Sequence, residues 1–323
     1  MFDPLTRKSL VAVGVLALGL HAAAAAGAEA HRHFPAIGAA MDAIVAAAQA
    51  GDTAALGAIL GPDSEELYSS GDPVADRNAL QQFVEAVKAR TVIEYDGPDR
   101  VTFSVGDDEW PVPTPLVKDA QGWRFDGAAG KEEIVNRRIG RNELYAIEVM
   151  RDFVEAQADY AASDPARSGV RHYAQRMVSS KGQKDGLYWP TAGENEVASP
   201  LGELAAAAVK EGYADTDPSK LVPFHGYYYR MLQAQGKNAP GGAKSYVVDG
   251  KMTGGFAFVA WPADYGNAGI KSFVVNQQGI VFEKDLGPDT EKVAAGITEY
   301  DPDDSWDAVE DTDIEGPEVT STP

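Results

Sequence analysis

The chain has 323 residues, with 49 acidic against 28 basic side chains, a formal net charge of −21 and no cysteine. The absence of cysteine excludes disulfides, thiol catalysis and zinc-thiolate sites. The excess of negative charge repels nucleic acid and anionic lipid surfaces, so we expect neither as a partner.

The first thirty residues have the composition of an export signal. Arg7 and Lys8 form a short basic start, residues 9–20 form an apolar run, and small-x-small cleavage sites end at Ala28 and Ala30. The apolar run is shorter than the roughly 20 residues of a membrane span. We therefore predict a signal peptide over residues 1–30, a periplasmic or secreted mature protein, and no integral membrane segment once the signal is removed.

The mature chain begins with helical periodicity. Apolar residues at helical spacing predict helices over 35–50 and 53–60. Asp52 is the predicted cap of the second helix, and Gly61 is its predicted end. Asp76 is the predicted N-cap of a third helix, which runs to about residue 90.

After residue 90 the apolar pattern changes to alternation. It predicts four strands, at 92–95, 100–105, 112–118 and 122–126, separated by turns rich in Gly and Asp. Pro111, Pro113 and Pro115 place the third strand at a sheet edge, because each proline removes a donor from the ladder. Three helices followed by a meander make residues 31–138 an N-terminal α+β domain.

The second predicted domain covers residues 139–298 and is also α+β. The longest helical pattern of the chain, at 131–162, begins at the end of the first predicted domain and continues into the second. A loop-rich insertion follows, with short helical segments around 172–178 and 201–210. Strands are then predicted at 225–233, 244–249, 254–261, 270–276 and 280–285, with a hairpin turn at Asp249-Gly250. We expect the long helix to pack on this four- to five-stranded antiparallel meander.

Several short motifs of the second domain form a recognisable set. They are Arg141-Asn142-Glu143-Leu144, Tyr160-Ala161, Gly226-Tyr227-Tyr228-Tyr229, Ala260-Trp261-Pro262 and the run from Phe273 to Ile280. The set resembles the globular part of pilin-like and pseudopilin proteins, in which an amphipathic helix packs on an antiparallel sheet. It departs from pilins in its helix, which is internal and charged here, whereas pilins polymerise through a long apolar N-terminal helix.

A wider set of motifs runs through nearly the whole mature chain. It comprises Ser69-Ser70-Gly71-Asp72-Pro73, Trp123-Arg124-Phe125-Asp126, the run from Arg137 to Glu143, and Asp185-Gly186-Leu187-Tyr188-Trp189-Pro190. This set resembles a bacterial exported family known as domain of unknown function 2950. The resemblance implies export and assigns no catalytic residue.

One segment, His225-Gly226-Tyr227-Tyr228-Tyr229-Arg230, concentrates candidate binding side chains. In a strand, His225, Tyr227 and Tyr229 would share one face, and Tyr228 and Arg230 the other. Two interpretations stay open, an aromatic packing stripe and a ligand cradle, and the cradle requires Trp189 and Trp261 to join the segment in a cleft. The candidate ligand-binding residues are His225, Tyr227, Tyr229, Arg230, Trp189 and Trp261.

A basic cluster lies between the two predicted domains, in an otherwise acidic protein. It consists of Arg137, Arg138 and Arg141. Salt bridges between the domains and the binding of an anion are the two uses that the sequence suggests for it.

The chain contains no Gly-x-Ser-x-Gly, His-Glu-x-x-His, phosphate-loop or Gly-x-Gly-x-x-Gly motif. Residues 299–323 are so acidic that we expect a disordered, solvated tail. We therefore expect a non-enzymatic binding or structural component of the envelope, with no cofactor and no metal, whose partner is an envelope protein or a small ligand. A periplasmic hydrolase is the alternative.

Overall fold

The computed structural model describes residues 31–190, 197–213 and 222–310. The predicted signal peptide and residues 311–323 of the predicted tail lie outside this part of the chain. The described residues combine helices with antiparallel sheets, which confirms the α+β class expected from the sequence.

The N-terminal half consists of three helices and a four-stranded antiparallel sheet. The helices are α1 (Ile37–Ala50), α2 (Thr53–Leu60) and α3 (Pro73–Ala89), with a 3-10 turn at Glu65–Leu67. The strands are β1 (Thr91–Tyr95), β2 (Arg100–Val105), β3 (Trp110–Asp119) and β4 (Gly122–Phe125), and they are neighbours in chain order. These elements confirm the helices and the meander that the sequence predicts.

The start of α3 corrects one prediction. Asp72, and not Asp76, caps this helix, and its carboxylate accepts the backbone N–H groups of Val74 and Ala75 at 3.0 and 3.1 Å. Pro73 at the first helical position fixes this start, because its ring presets the helical φ. Asp76 lies one turn further on, where its side chain is available for other contacts.

The position of β3 in the sheet corrects a second prediction. The strand is not at an edge, because β2 pairs along one side of it and β4 pairs along residues 116–119 on the other side. The proline-bearing part of β3 extends beyond β4, and the following long helix packs there instead. A Cβ atom on Gly130 of that helix would lie 2.6 Å from the carbonyl carbon of Pro113. Pro113 and Pro115 lie where the register between β2 and β3 shifts, and before the pairing with β4 begins, so the ladder does not require their missing donors.

A long helix joins the two halves of the molecule. Helix α4 (Gly127–Ser163) is continuous over 37 residues. Its first part packs on β3, and its second part contributes Ile147, Phe153 and Tyr160 to the larger of two buried apolar clusters. The domain boundary predicted after residue 138 lies inside this helix, and the division into two domains stays a prediction.

The C-terminal half is built on a five-stranded antiparallel sheet. Its shorter elements are β5 (Arg176–Val178), β6 (Gly186–Tyr188), α5 (Gly202–Glu211), β8 (Ala234–Gln235), β9 (Lys244–Ser245), β10 (Val247–Val248), β11 (Lys251–Met252) and α6 (Thr290–Gly296). The sheet strands are β7 (Tyr227–Leu232), β12 (Ala257–Pro262), β13 (Lys271–Asn276), β14 (Val281–Asp285) and β15 (Asp307–Ala308). They lie side by side in this order, which confirms the meander.

Two segments of the C-terminal half differ from the sequence prediction. Residues 172–178 form no helix, because Gln157 of α4 exchanges two hydrogen bonds with the backbone of Ala174 and holds that segment extended. Residues 244–249 form short ladders outside the main sheet, and the fifth strand is β15 instead.

The expectation of a disordered tail is wrong for residues 299–310. Tyr300 is buried, and its backbone pairs with Ala234 and Gly236. Asp301 accepts hydrogen bonds from the backbone and side chain of Asn238, and Trp306 packs against the larger apolar cluster. Although the segment is mainly acidic, its aromatic side chains Tyr300 and Trp306 bury enough apolar area to hold it on the fold.

Candidate functional site

The aromatic segment that the sequence singles out forms β7, and its tyrosines on one face pack in the interior of the protein. Tyr227 is fully buried, and its hydroxyl donates to the carbonyl of Lys271 at 2.9 Å. Tyr229, two residues on, meets Phe153 of α4 edge-on, with 5.5 Å between ring centroids. Both tyrosines therefore face the long helix, as alternation in a strand requires.

Arg230 and Trp261 lie on the opposite face of the sheet. The guanidinium of Arg230 donates to the carbonyls of Ala294 and Ile297 at the end of α6, at 2.7 and 2.6 Å. It also lies 5.4 Å from the ring centroid of Trp261. Arg230 thus caps the C-terminus of α6, a position in which a cation is stabilising.

Trp189 lies apart from both groups. It is buried, packs on Tyr160 near the far end of α4, and donates its indole N–H to the carbonyl of Val197 at 3.1 Å. In the described part of the chain, these residues therefore do not come together in one place: Tyr227 and Tyr229 face α4, Arg230 and Trp261 lie on the opposite face, and Trp189 lies apart. Ligand binding by any one of them stays a prediction.

His225 occupies a distinct environment just before β7. Its φ of 49° places it in a left-handed turn and not in the strand. The imidazole stacks on Tyr145 with 3.7 Å between centroids, and its Nε2 lies 2.8 Å from a carboxylate oxygen of Glu211. Burial lowers the pKa of His225, although the charges of Glu211 and Asp72 oppose this shift.

Asp72 connects the two halves of the molecule. Besides capping α3, this fully buried carboxylate accepts the hydroxyl of Tyr213 at 2.8 Å and the backbone N–H of Gly226 at 3.0 Å. The oxygen of Tyr213 in turn accepts the backbone N–H of His225 at 3.2 Å. Burial together with the charge of Asp72 raises the pKa of Tyr213. Asp72 thus has a full set of donors, and its role is structural.

A pocket of about 180 Å³ opens in the N-terminal half, between α3, the sheet and α4. Its floor consists of buried apolar side chains, namely Ile44, Ala48, Leu56, Leu60, Phe103 and Phe125. Leu80 and Phe83 of α3 are half-buried along its wall, and Ala79, which directly precedes Leu80, is exposed at the rim. The pocket is therefore apolar inside and open to solvent beside α3.

The polar groups of the pocket come mainly from α4, from the first turn of α3 and from the loop before α3. Asp76 accepts the N–H of Ser70 at 3.0 Å and its hydroxyl at 2.6 Å. Burial raises the pKa of Asp76, and the bonds from Ser70 and the charge of Arg138 reduce that shift. These contacts fix the position of the carboxyl group at one end of the pocket.

Arg138 is a buried cation whose hydrogen bonds go to neutral oxygens. It donates to the carbonyls of Glu66 and Ser69, at 2.6 and 3.3 Å, and to the side chain of Asn267. No carboxylate of the described residues lies within ion-pair distance of it. Burial lowers the pKa of its guanidinium, while the charges of Asp76, Asp264 and Glu66 oppose the shift.

Arg141, one turn along α4, lines the pocket at its rim. More than a third of its surface is exposed, and yet the surrounding protein lowers the pKa of its guanidinium by desolvation. Both observations fit a side chain that is exposed into a pocket rather than to open solvent. Within the described part of the chain, Arg141 forms no hydrogen bond and no ion pair.

Arg137 contrasts with these two arginines. Its guanidinium forms an ion pair with Glu133 of the same helix at 2.7 Å and lies 5.0 Å from the ring centroid of Trp110. The basic cluster that the sequence singles out is therefore divided. Arg137 is held on the surface, Arg138 bridges the two halves through hydrogen bonds, and Arg141 faces the pocket.

One protein-family model matches almost all of the described chain. The model of a family described as Protein of unknown function (DUF2950) matches residues 31–309. The chain belongs to the DUF2950 family. The match covers both apolar clusters, the pocket and α4, and it confirms the resemblance to domain of unknown function 2950.

No curated protein and no solved structure matches this DUF2950 chain. The resemblance to pilin-like proteins is therefore not confirmed. Among residues 31–190, 197–213 and 222–310, no helix has the length and hydropathy needed to cross a membrane. In that same part of the chain, no group of three or more His, Cys, Asp or Glu side chains could hold a metal ion.

Proposed function

We propose that this DUF2950 protein is an exported, non-enzymatic component of the cell envelope that binds a small apolar ligand in the pocket between α3 and α4. The pocket itself carries the proposal. At about 180 Å³ it exceeds the ~150 Å³ of an engineered apolar cavity that binds benzene. Open pockets with apolar floors and a few placed polar groups are the usual form of small-molecule sites.

The export part of the proposal is supported by the N-terminal sequence. Residues 1–30 have the basic start, apolar run and small-residue cleavage sites of a signal peptide. The family match begins at residue 31, which is the first residue after the second predicted cleavage site. The intact mass of protein recovered from the periplasm tests this, and we expect an N-terminus at Glu29 or His31.

The pocket's arrangement supports binding over catalysis. Its carboxyl group, Asp76, is held by two donors from Ser70, and its buried cation, Arg138, is held by three oxygens. Groups held in this way recognise a ligand through fixed charge and shape. The aliphatic and aromatic floor supplies the favourable free energy of burial.

Ligand-observed NMR with 1-hexanol tests the proposal directly. We expect saturation transfer from the mature protein to the alkyl chain. Ala79→Phe places a large ring at the exposed rim and is expected to abolish the transfer. Gln82→Phe is the matched control, because it adds the same ring to an exposed position of α3 outside the pocket. Equal transfer in both variants, or none with the unmodified protein, would contradict the proposed function.

A periplasmic hydrolase is the second candidate, and one observation favours it. His225 and Glu211 form a close imidazole–carboxylate pair, which is the orienting contact of many general bases. A screen of ester, phosphate, glycoside and peptide substrates tests it. The binding proposal expects no turnover, and turnover that is lost in His225→Asn would support the hydrolase.

A further inference from the structure

We infer that the pocket selects a small amphiphile with an anionic head group, whose chain enters the apolar floor and whose head lies at Arg141. This inference rests on the proposed function and names the class of ligand. The observation behind it is the juxtaposition of an apolar pocket with a cation at its rim that has no partner among the described residues.

Arg141 has the position and the freedom to meet a head group. It lines the rim on the α4 side, opposite the apolar residues of α3. A guanidinium carries five donors, and a carboxylate or phosphate can accept two of them in parallel. The neighbouring Arg137 shows what such a side chain does when a carboxylate is at hand, since it pairs with Glu133 at 2.7 Å.

The other charges around the rim leave a site for an anion. Arg138 adds a second positive charge beside the pocket and forms hydrogen bonds only with uncharged oxygens. His225 interacts electrostatically with Arg141, and the carboxylate of Glu211 is already paired with this imidazole at 2.8 Å. Among the described residues, Asp76 is the one acidic side chain that lines the pocket, and it accepts hydrogen bonds from Ser70 and lies in the electrostatic field of Arg138. Asp72 is saturated by its four donors.

The dimensions of the pocket limit the length of the chain. At about 180 Å³ the pocket is slightly larger than the ~150 Å³ apolar cavity that binds benzene, a ligand of six carbons. A six-carbon carboxylate therefore fills the floor and leaves its head at the rim. Longer chains would extend past Ala79 into solvent and gain little further burial.

Calorimetric titration of the mature protein with hexanoate, hexyl phosphate, 1-hexanol and hexylammonium tests the inference. We expect both anions to bind at least tenfold more tightly than 1-hexanol, and hexylammonium to bind most weakly. Acetate and inorganic phosphate, which have a head but no chain, are expected not to bind. The two anionic arms also distinguish a carboxylate from a phosphate head group.

Two variants assign the preference to one side chain. Arg141→Gln is expected to remove the advantage of hexanoate over 1-hexanol without weakening 1-hexanol, because it changes only the charge at the rim. Arg137→Gln is the control and should leave every affinity unchanged.

The outcomes separate the inference from the proposed function. Equal affinities for hexanoate and 1-hexanol, or tightest binding of hexylammonium, would overturn the anionic head group and leave the proposed function standing. Binding of acetate as tight as that of hexanoate would also overturn the inference, since the chain would then contribute nothing. Failure of all four chains to bind would overturn both.

Discussion

Two tyrosines on the same face of β7 differ in what surrounds their hydroxyl groups. The hydroxyl of Tyr227 donates to the carbonyl of Lys271, whereas the hydroxyl of Tyr229 is buried without a hydrogen-bond partner among the described residues. A buried hydrogen bond contributes about 0.5–1.5 kcal/mol, and an unpaired buried polar group is unfavourable. The two side chains therefore offer a comparison in which only the hydroxyl changes.

We expect Tyr227→Phe to lower the free energy of unfolding by about 1 kcal/mol, because the carbonyl of Lys271 loses its donor. Tyr229→Phe should leave it unchanged or raise it, because that change removes a group without a partner. Urea denaturation of both variants measures the difference. An equal loss in the two would show that the hydroxyl of Tyr229 is bonded as well as that of Tyr227.

The imidazole of His225 makes stability depend on pH. Its folded pKa is lowered by burial, so the unfolded chain binds a proton more readily below the ordinary His value of about 6.5. The stability contributed by the neutral ring is therefore present above that pH and is lost as the pH falls through the folded pKa.

We expect His225→Asn to reduce the fall in melting temperature between pH 7.5 and pH 5. Asparagine is the suitable replacement, because it tolerates the left-handed backbone at this position. The variant should be less stable overall, since it loses the stacking on Tyr145. The test therefore compares the change with pH and not the absolute temperature, and an unchanged pH dependence would contradict the assignment to His225.

Two glycines of helix α4 differ in the space around them. Gly130 is closely packed and Gly140 is not, so replacing each by alanine distinguishes the effect of packing from that of helix propensity. A Cβ on Gly130 would lie within 3 Å of backbone atoms of Pro113 and Thr114, whereas a Cβ on Gly140 would meet nothing within 4 Å. Alanine is about 1 kcal/mol better than glycine inside a helix when space permits.

Gly140→Ala should therefore raise the free energy of unfolding by about 0.5–1 kcal/mol. Gly130→Ala should lower it, because the added methyl forces α4 away from the proline-bearing part of β3. Thermal denaturation of the two variants beside the unmodified protein measures both signs. Stabilisation by Gly130→Ala would show that α4 does not pack closely on β3.

The segment after residue 299 gives a second test at this scale. A chain ending at residue 299 loses the buried Tyr300, the contact of Asp301 with Asn238, and the strand β15. We expect its melting temperature to fall by several degrees, at about 2–4 °C per kcal/mol for a chain of this size. A chain ending at residue 310 keeps these contacts and is the control. Equal melting temperatures for the two would support the expected disordered, solvated tail.

Local signals in the sequence predicted those elements whose ends are set locally. Helix α2 begins after Asp52, which accepts the N–H of Ala55, and ends at Gly61, both as expected from capping. The assignments that were wrong depend on distant residues. The extended segment at 172–178 is held by Gln157, and β3 has β4 beside its end and α4 packed at Pro113. No local pattern contains those contacts.

In the molecule as a whole, the pocket is a further feature that no local pattern in the sequence predicts. Its lining comes from α1, α2, α3, the sheet and α4, which are spread over about a hundred residues. One signal was present in α4, where Ile134, Arg138 and Arg141 repeat at helical spacing and combine an apolar side chain with two cations. The sequence identifies the arginines as a group, but it does not show that Arg138 and Arg141 line an apolar pocket, or that Arg141 has no hydrogen-bond partner among the described residues.

The most direct test of the account locates a bound ligand by intermolecular NOEs between the hexanoate anion, at natural isotope abundance, and methyl-labelled mature protein. We expect contacts from the terminal methyl of hexanoate to Ile44 and Leu56 on the pocket floor, and contacts from its α-methylene to Ala79 at the rim. The α-methylene is the carbon next to the carboxylate, so this orientation places the head at Arg141. NOEs confined to methyl groups of the C-terminal half, or the reverse orientation of the chain, would contradict the account.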